Sequence, residues 1–194
     1  MYAHRTASAR RIANRYLERE AARNRLRKST IEALLKAGRQ FGVLSAYGPG
    51  SKSENQRRHG ELIAELQRRG YRKWSTVKGS WEGVAEKSVF VPNMKSKDVF
   101  DLGRMFDQDS TIYKGADGVI GMYYTHKGVA EIAVDPQGDA AAAIKADKTL
   151  YSKGRGISFE FDFLWGQHVP WNGRTPVTAA EVGKLLAEGK LEAA

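Results

Sequence analysis

The chain has 194 residues, 41% hydrophobic and 28% charged, with 32 Lys+Arg against 22 Asp+Glu, a net charge of +10 and no cysteine. At about 150 residues per domain this fits one compact domain plus an appendage, and the composition is that of a globular chain rather than a disordered one. Without cysteine there are no disulfides, thiolate zinc sites or cysteine nucleophile; no apolar run nears the ~20 residues of a membrane span and no apolar signal core follows Met1, so a soluble protein with no membrane partner is expected.

The charge is concentrated at the beginning of the chain. Residues 1–40 hold eleven basic and three acidic residues, a net of +8, whereas the remainder carries only +2. Within that arm, residues 8–27 read as a helix, with Ala9, Ile12, Ala13, Tyr16 and Leu17 on one apolar stripe. Arg11, Arg15, Arg19, Arg23 and Arg27 recur every fourth residue. On a helix this spacing makes a guanidinium ridge that winds toward the apolar face by Arg23, so a bend or break is expected near Asn24. Ser29 and Glu32 form a capping box that opens a second helix bearing Ile31, Leu34 and Leu35.

From Phe41 the pattern changes. Phe41–Tyr47 reads as a buried strand ending at Gly48-Pro49-Gly50. Ser51 and Glu54 cap a helix reaching about Arg69, with Gly70 as its stop. Asn55, His59, Leu62, Ile63 and Leu66 share its inner face; Arg57, Arg58, Glu61, Glu65 and Arg68 are expected to face outward. Tyr71–Lys78 and Lys87–Val91 are strands joined through Gly79–Gly83, and Ser96 caps a short helix carrying Val99, Leu102 and Phe106. Ser110–Lys114, Val119–Thr125 and Val129–Val134 form an antiparallel meander through the turns at Gly115–Gly118 and Lys127-Gly128.

The C-terminal part is less regular. Asp135–Thr149 is loop-like, and Gly156–Leu164 alternates Ile157, Phe159, Phe161 and Phe163 with Ser158, Glu160 and Asp162, which reads as one strand. Thr178 and Glu181 box a last helix bearing Val182, Leu185 and Leu186, stopped by Gly189. The expected class is α+β: a ferredoxin-like βαββαβ sheet over 41–114, extended by the meander, with N-terminal basic helices and a C-terminal helix. The expected division is a basic arm over 1–40 and an α+β domain over 41–194, with the core sheet in 41–134 and an extension in 135–194.

Several segments share a further likeness: Ser51-Lys52-Ser53-Glu54-Asn55, Gly70-Tyr71, Gly79–Val84, Glu86-Lys87-Ser88 and Phe106-Asp107-Gln108-Asp109-Ser110. Over roughly residues 43–125 they resemble a family of small bacterial and phage proteins known only as a domain of unknown function, with Asp107 standing where that family's pattern has a glycine. The resemblance implies a compact fold and no particular mechanism. Arg5-Thr6-Ala7-Ser8 and Ile12–Leu17 also resemble leader segments of some phage proteins.

Three places carry candidate chemistry. The arm offers Arg10, Arg11, Arg15, Arg19, Arg23, Arg25, Arg27 and Lys28, whose donors match phosphate oxygens and whose binding releases condensed counterions without reading sequence; a solvated or protein-docking face, or an arginine-rich targeting leader, are the alternatives. The turn before the helix at Ser51 offers backbone N–H groups with Ser51, Lys52, Ser53, Asn55 and Arg58 for an anion, although the phosphate-loop spacing is not met and a plainly capped helix explains the same residues. Glu86, near Lys87 and Ser88, is a candidate acid–base group if buried, or one end of an ordinary strand connection. His4, His59, His126 and His168 show no metal-ligand spacing, Glu160 and Asp162 are explained by a solvent face, and no Gly-x-Ser-x-Gly elbow occurs, so neither a catalytic residue nor a cofactor is expected. Trp165 to Trp171 forms an aromatic loop fit for a pocket lining or a partner surface.

The reading is a non-catalytic accessory protein that binds DNA or RNA through its arm, or attaches to a nucleic-acid-bearing assembly such as a phage particle, in the bacterial cytoplasm or on the virion. The alternatives are an enzyme or sensor for a small phosphorylated ligand at the Gly48–Asn55 turn, and a protein-docking or inhibitory module using the arm.

Overall fold

A computed structural model describes residues 39–81, 84–133, 152–154, 157–159, 161 and 163–192. The two helices expected in the arm, the 135–149 stretch, Glu160 and Asp162 lie outside these residues.

Strand β1 (Phe41–Ser45) is buried along its whole length, as an unbroken apolar run requires, and sits centrally. It pairs antiparallel with β3 (Val84–Pro92) on one side and β4 (Ser110–Lys114) on the other. Helix α1 (Lys52–Arg68) links β1 to β2 (Ser75–Trp81), which pairs with β3; α2 (Ser96–Met105) links β3 to β4. The strand–helix–strand–strand–helix–strand order expected between Phe41 and Lys114 is therefore present, and the protein is α+β. The meander continues as β5 (Ile120–Tyr124) and β6 (Val129–Ala133), both antiparallel to their neighbours. With β7 (Ser152–Gly154), β8 (Ile157–Phe159) and β9 (Val169–Pro170), one sheet runs in the order β8-β7-β2-β3-β1-β4-β5-β6-β9.

Period-two alternation sends each strand's residues to two cores. Leu44, Val89, Val91, Tyr113, Tyr123 and Ile132 meet Leu62 and Leu66 of α1, Val99, Phe100 and Leu102 of α2, and Val182 of α3 (Ala179–Ala187). Phe41, Val43, Val77, Phe90, Ile120, Met122 and Tyr124 form the other face, covered by Phe161 and Phe163. Gly42 lies under α2 and the residue before it: a Cβ there would lie 2.6 Å from Val99 Cγ2 and 2.9 Å from Met94 Sδ.

Four expectations need correction. Gly79, Ser80 and Trp81 belong to β2, whose register runs to Trp81 opposite Val84, so the connection to β3 is shorter than the glycines imply. The α2 N-cap is Lys95, not Ser96; order there comes from the Tyr71 hydroxyl, which accepts from Lys95 N at 3.1 Å and donates to Asp98 Oδ2 at 2.6 Å. Arg58 is not outward: its guanidinium donates to the carbonyls of Ala46 (2.6 Å) and Phe106. Residues 156–164 are not one strand. The chain leaves β8 at one edge and crosses the second face, bringing Phe161 within 6.0 Å of Phe41 and bridging Phe163 to Ala133, because burying the rings over the sheet satisfies them better than one more edge strand.

Both remaining capping boxes form as expected: Ser51 with Glu54, and Thr178 with Glu181. Gly70 (φ +89°) and Gly189 (φ +64°) take the left-handed conformation just after their helices. Among the described residues no helix is long and apolar enough to cross a membrane.

Candidate functional site

The arm residues Arg10, Arg11, Arg15, Arg19, Arg23, Arg25, Arg27 and Lys28 lie outside the described residues. The other two sequence candidates meet at the end of β1. There the chain turns through Tyr47, Gly48 and Pro49 into α1, and α1 pins the turn. Asn55 accepts from Gly48 N at 2.9 Å and donates to Gly48 O at 3.1 Å, using both ends of its amide. Gln108, just before β4, donates from Nε2 to Tyr47 O at 2.8 Å.

A cleft of about 330 Å³ opens over this turn, lined by Tyr47, Gly48, Pro49, Glu86, Asp107, Gln108, Asp109 and Ser110. Glu86 thus joins the Gly48 turn from β3, and burial raises its carboxyl above the ordinary range; the Ser88 hydroxyl donates to it at 3.1 Å. Behind the turn, His59 lies edge-on to Tyr47 at 6.2 Å. Burial, followed by the Lys87 ammonium, holds its imidazolium down to about 4, and burial raises the Tyr47 phenol.

Of the five anion-binding candidates, Ser51 is engaged with Glu54, whose carboxylate also accepts from Ser51 N at 2.7 Å, so the helix N-terminus already faces a negative group. Asn55 and Arg58 are spent on backbone groups, and Lys52 and Ser53 are exposed. The residues lining the cleft include the carboxylates of Glu86, Asp107 and Asp109, and the Arg58 guanidinium lies 3.5 Å from where a Cβ on Gly48 would stand.

The aromatic loop resolves into two roles. Trp171 is buried with Phe100 and Tyr123, at 4.7 and 5.1 Å between ring centroids. Trp165 stays at the surface. The sequence reading missed Glu131, a buried carboxylate beneath this loop that accepts from the Tyr124 hydroxyl (3.0 Å) and from Gly166 N (3.0 Å), with His168 Nε2 at 3.4 Å. The signal was present: alternation along β6 puts Glu131 on the same face as the core residues Val129 and Ala133.

Residues 44–111 match the protein family described as a protein of unknown function, DUF3293. That span holds every residue lining the Gly48 cleft, and it is the part of the chain whose segments carried the resemblance. No curated protein matches the chain.

Proposed function

We propose that this is a non-catalytic accessory protein that holds nucleic acid by its phosphate backbone, in solution or as part of an assembly such as a phage particle, through the arginines of residues 10–28. The observation that carries the reading is the division of charge, +8 within residues 1–40 against +2 in the rest. The body supports it in a second way. Arg57, Arg68, Arg69, Lys97, Arg104, Lys184 and Lys190 each lie within 4 Å of a carboxylate of the same chain, so a third of the body's basic residues are matched internally. Guanidinium groups stepped along one helix follow a backbone without reading bases, so binding is independent of sequence.

The test is the full chain with Arg11, Arg15, Arg19, Arg23 and Arg27 all changed to glutamine, titrated against a labelled oligonucleotide. Affinity should fall by several orders of magnitude at low salt. Undiminished affinity in the substituted chain would contradict the proposal.

A further inference from the structure

The arm joins the body at Arg39, and the antiparallel registers fix what stands beside it. Phe41, the first residue of β1, pairs with Pro92, the last of β3, and Ser75, which opens β2, pairs with Phe90. The chain therefore enters β1, leaves β3 and enters β2 at one end of the sheet, on three neighbouring strands about 4.8 Å apart. Arg39 precedes β1, Lys95 follows β3, and Arg72 and Lys73 precede β2; all four are exposed. Two hydrogen bonds tie these segments together: Asn93 N donates to Gln40 O at 2.8 Å, and Lys95 N donates to the Tyr71 hydroxyl at 3.1 Å.

Their charge is not neutralised within the body. Among the described residues no carboxylate lies within 4 Å of Arg39, Arg72, Lys73 or Lys95, whereas Arg69 and Lys97 nearby in the chain are paired with Asp98 and Asp101. The carboxylates at this end have partners of their own. Asp98 accepts from Arg69 at 2.7 Å and from the Tyr71 hydroxyl at 2.6 Å; Asp117, in the turn after β4, accepts from Ala179 N at 2.9 Å; Glu181 is held in its capping box. The opposite end is different. It also carries exposed lysines, Lys52, Lys87 and Lys127, but the carboxylates of Glu86, Asp107 and Asp109 stand at that end with them.

We infer that Arg39, Arg72, Lys73 and Lys95 form a second phosphate-binding surface, so that one nucleic-acid backbone runs from the arm onto this end of the sheet. The inference rests on the nucleic-acid reading above and gives the folded body a part in it. Guanidinium and ammonium donors side by side suit a line of phosphate oxygens and read no base, as in the arm. Reach agrees: Lys28 is eleven residues from Arg39, no more than about 40 Å of extended chain, so a single strand bound by the arm lies close to the sheet end.

The experiment titrates the full chain and three variants against a labelled oligonucleotide of about 30 nucleotides, longer than that reach, at one low salt concentration. The first variant changes Arg72, Lys73 and Lys95 to glutamine. The second exchanges the same three for the other cation, Arg72→Lys, Lys73→Arg and Lys95→Arg. The third changes Lys52, Lys87 and Lys127 to glutamine, removing equal charge from the opposite end. The first should bind roughly tenfold or more weakly than the third, and the second should stay near wild type. Should the first variant unfold early in thermal denaturation, the single substitutions Lys73→Gln and Lys95→Gln replace it, each binding severalfold more weakly than Lys52→Gln. Equal affinities for the two ends would overturn the surface and assign these cations to an acidic protein partner, and a loss on substituting the five arm arginines would still leave the arm proposal standing. A wild-type chain that binds no nucleic acid would overturn both.

Discussion

Replacing His59 with leucine should remove an acid-sensitive component of stability. In the folded chain its Nδ1 is buried without a hydrogen-bond partner, and burial with the nearby Lys87 holds its protonation down to about 4, against ~6.5 in an unfolded chain. Between those two values the unfolded chain binds a proton that the folded chain does not, so stability falls as the pH falls through this window. The two constants give a loss of about 2 kcal/mol between pH 7 and pH 5, which for a urea slope of about 2 kcal/mol/M is about 1 M in the unfolding midpoint. Carboxylates held low, such as Glu65 at about 2 by hydrogen bonds from Arg68 and Arg69, titrate below the window. Glu86, raised by burial, acts in the opposite direction but is common to both proteins and cancels in their difference. Leucine is apolar, of similar size, and leaves no unsatisfied ring nitrogen. The assay is urea unfolding followed by tryptophan fluorescence at pH 7 and pH 5, in wild type and His59→Leu. The variant's midpoint should shift much less on acidification; equal shifts would refute a neutral, buried His59.

Three further outcomes follow from the packing. Gly42→Ala places a methyl group against Val99 and Met94, where β1 packs on α2, and should lower stability by about 1–3 kcal/mol in chemical denaturation. Arg58→Ala leaves the carbonyls of Ala46 and Phe106 without their charged donor and should cost about 1.5–3 kcal/mol; a loss no larger than that of Arg57→Ala, whose side chain lies at the surface, would contradict the inward role. Thr178→Ala removes the capping box of α3 and should cost about 1 kcal/mol by thermal unfolding, with Thr178→Ser restoring most of it.

The parts of the fold that rest on local chemistry were legible in the sequence. Ser51 with Glu54 and Thr178 with Glu181 announce their helices because each box satisfies two backbone donors within four residues, and the turns at Gly115–Gly118 and Gly128 separate strands whose alternation is plain. What failed depended on distant partners. Arg58 reads as a surface residue by helical position, yet the carbonyl of Phe106, 48 residues away, draws it in. The start of α2 is held by Tyr71, which bonds Lys95 N and Asp98, and the path of Phe161 and Phe163 is set by a sheet face that no neighbouring residue reveals. The candidate site was partly visible. The Gly48 turn and Glu86 stood out separately, but their meeting in one cleft depends on β1 lying against β3, and the carboxylates of Asp107 and Asp109 that set its charge arrive from the chain before β4.

The central claim is that the arm arginines neutralise phosphates, and the salt dependence of nucleic-acid affinity tests it most directly. With five arginines engaged on a single strand, the logarithm of the association constant should fall against the logarithm of salt concentration with a slope of about −3.5. Changing Arg11, Arg15, Arg19, Arg23 and Arg27 to glutamine should make the slope shallower by about that amount. A shallow slope in the wild type, or one that survives the five substitutions, would contradict the account.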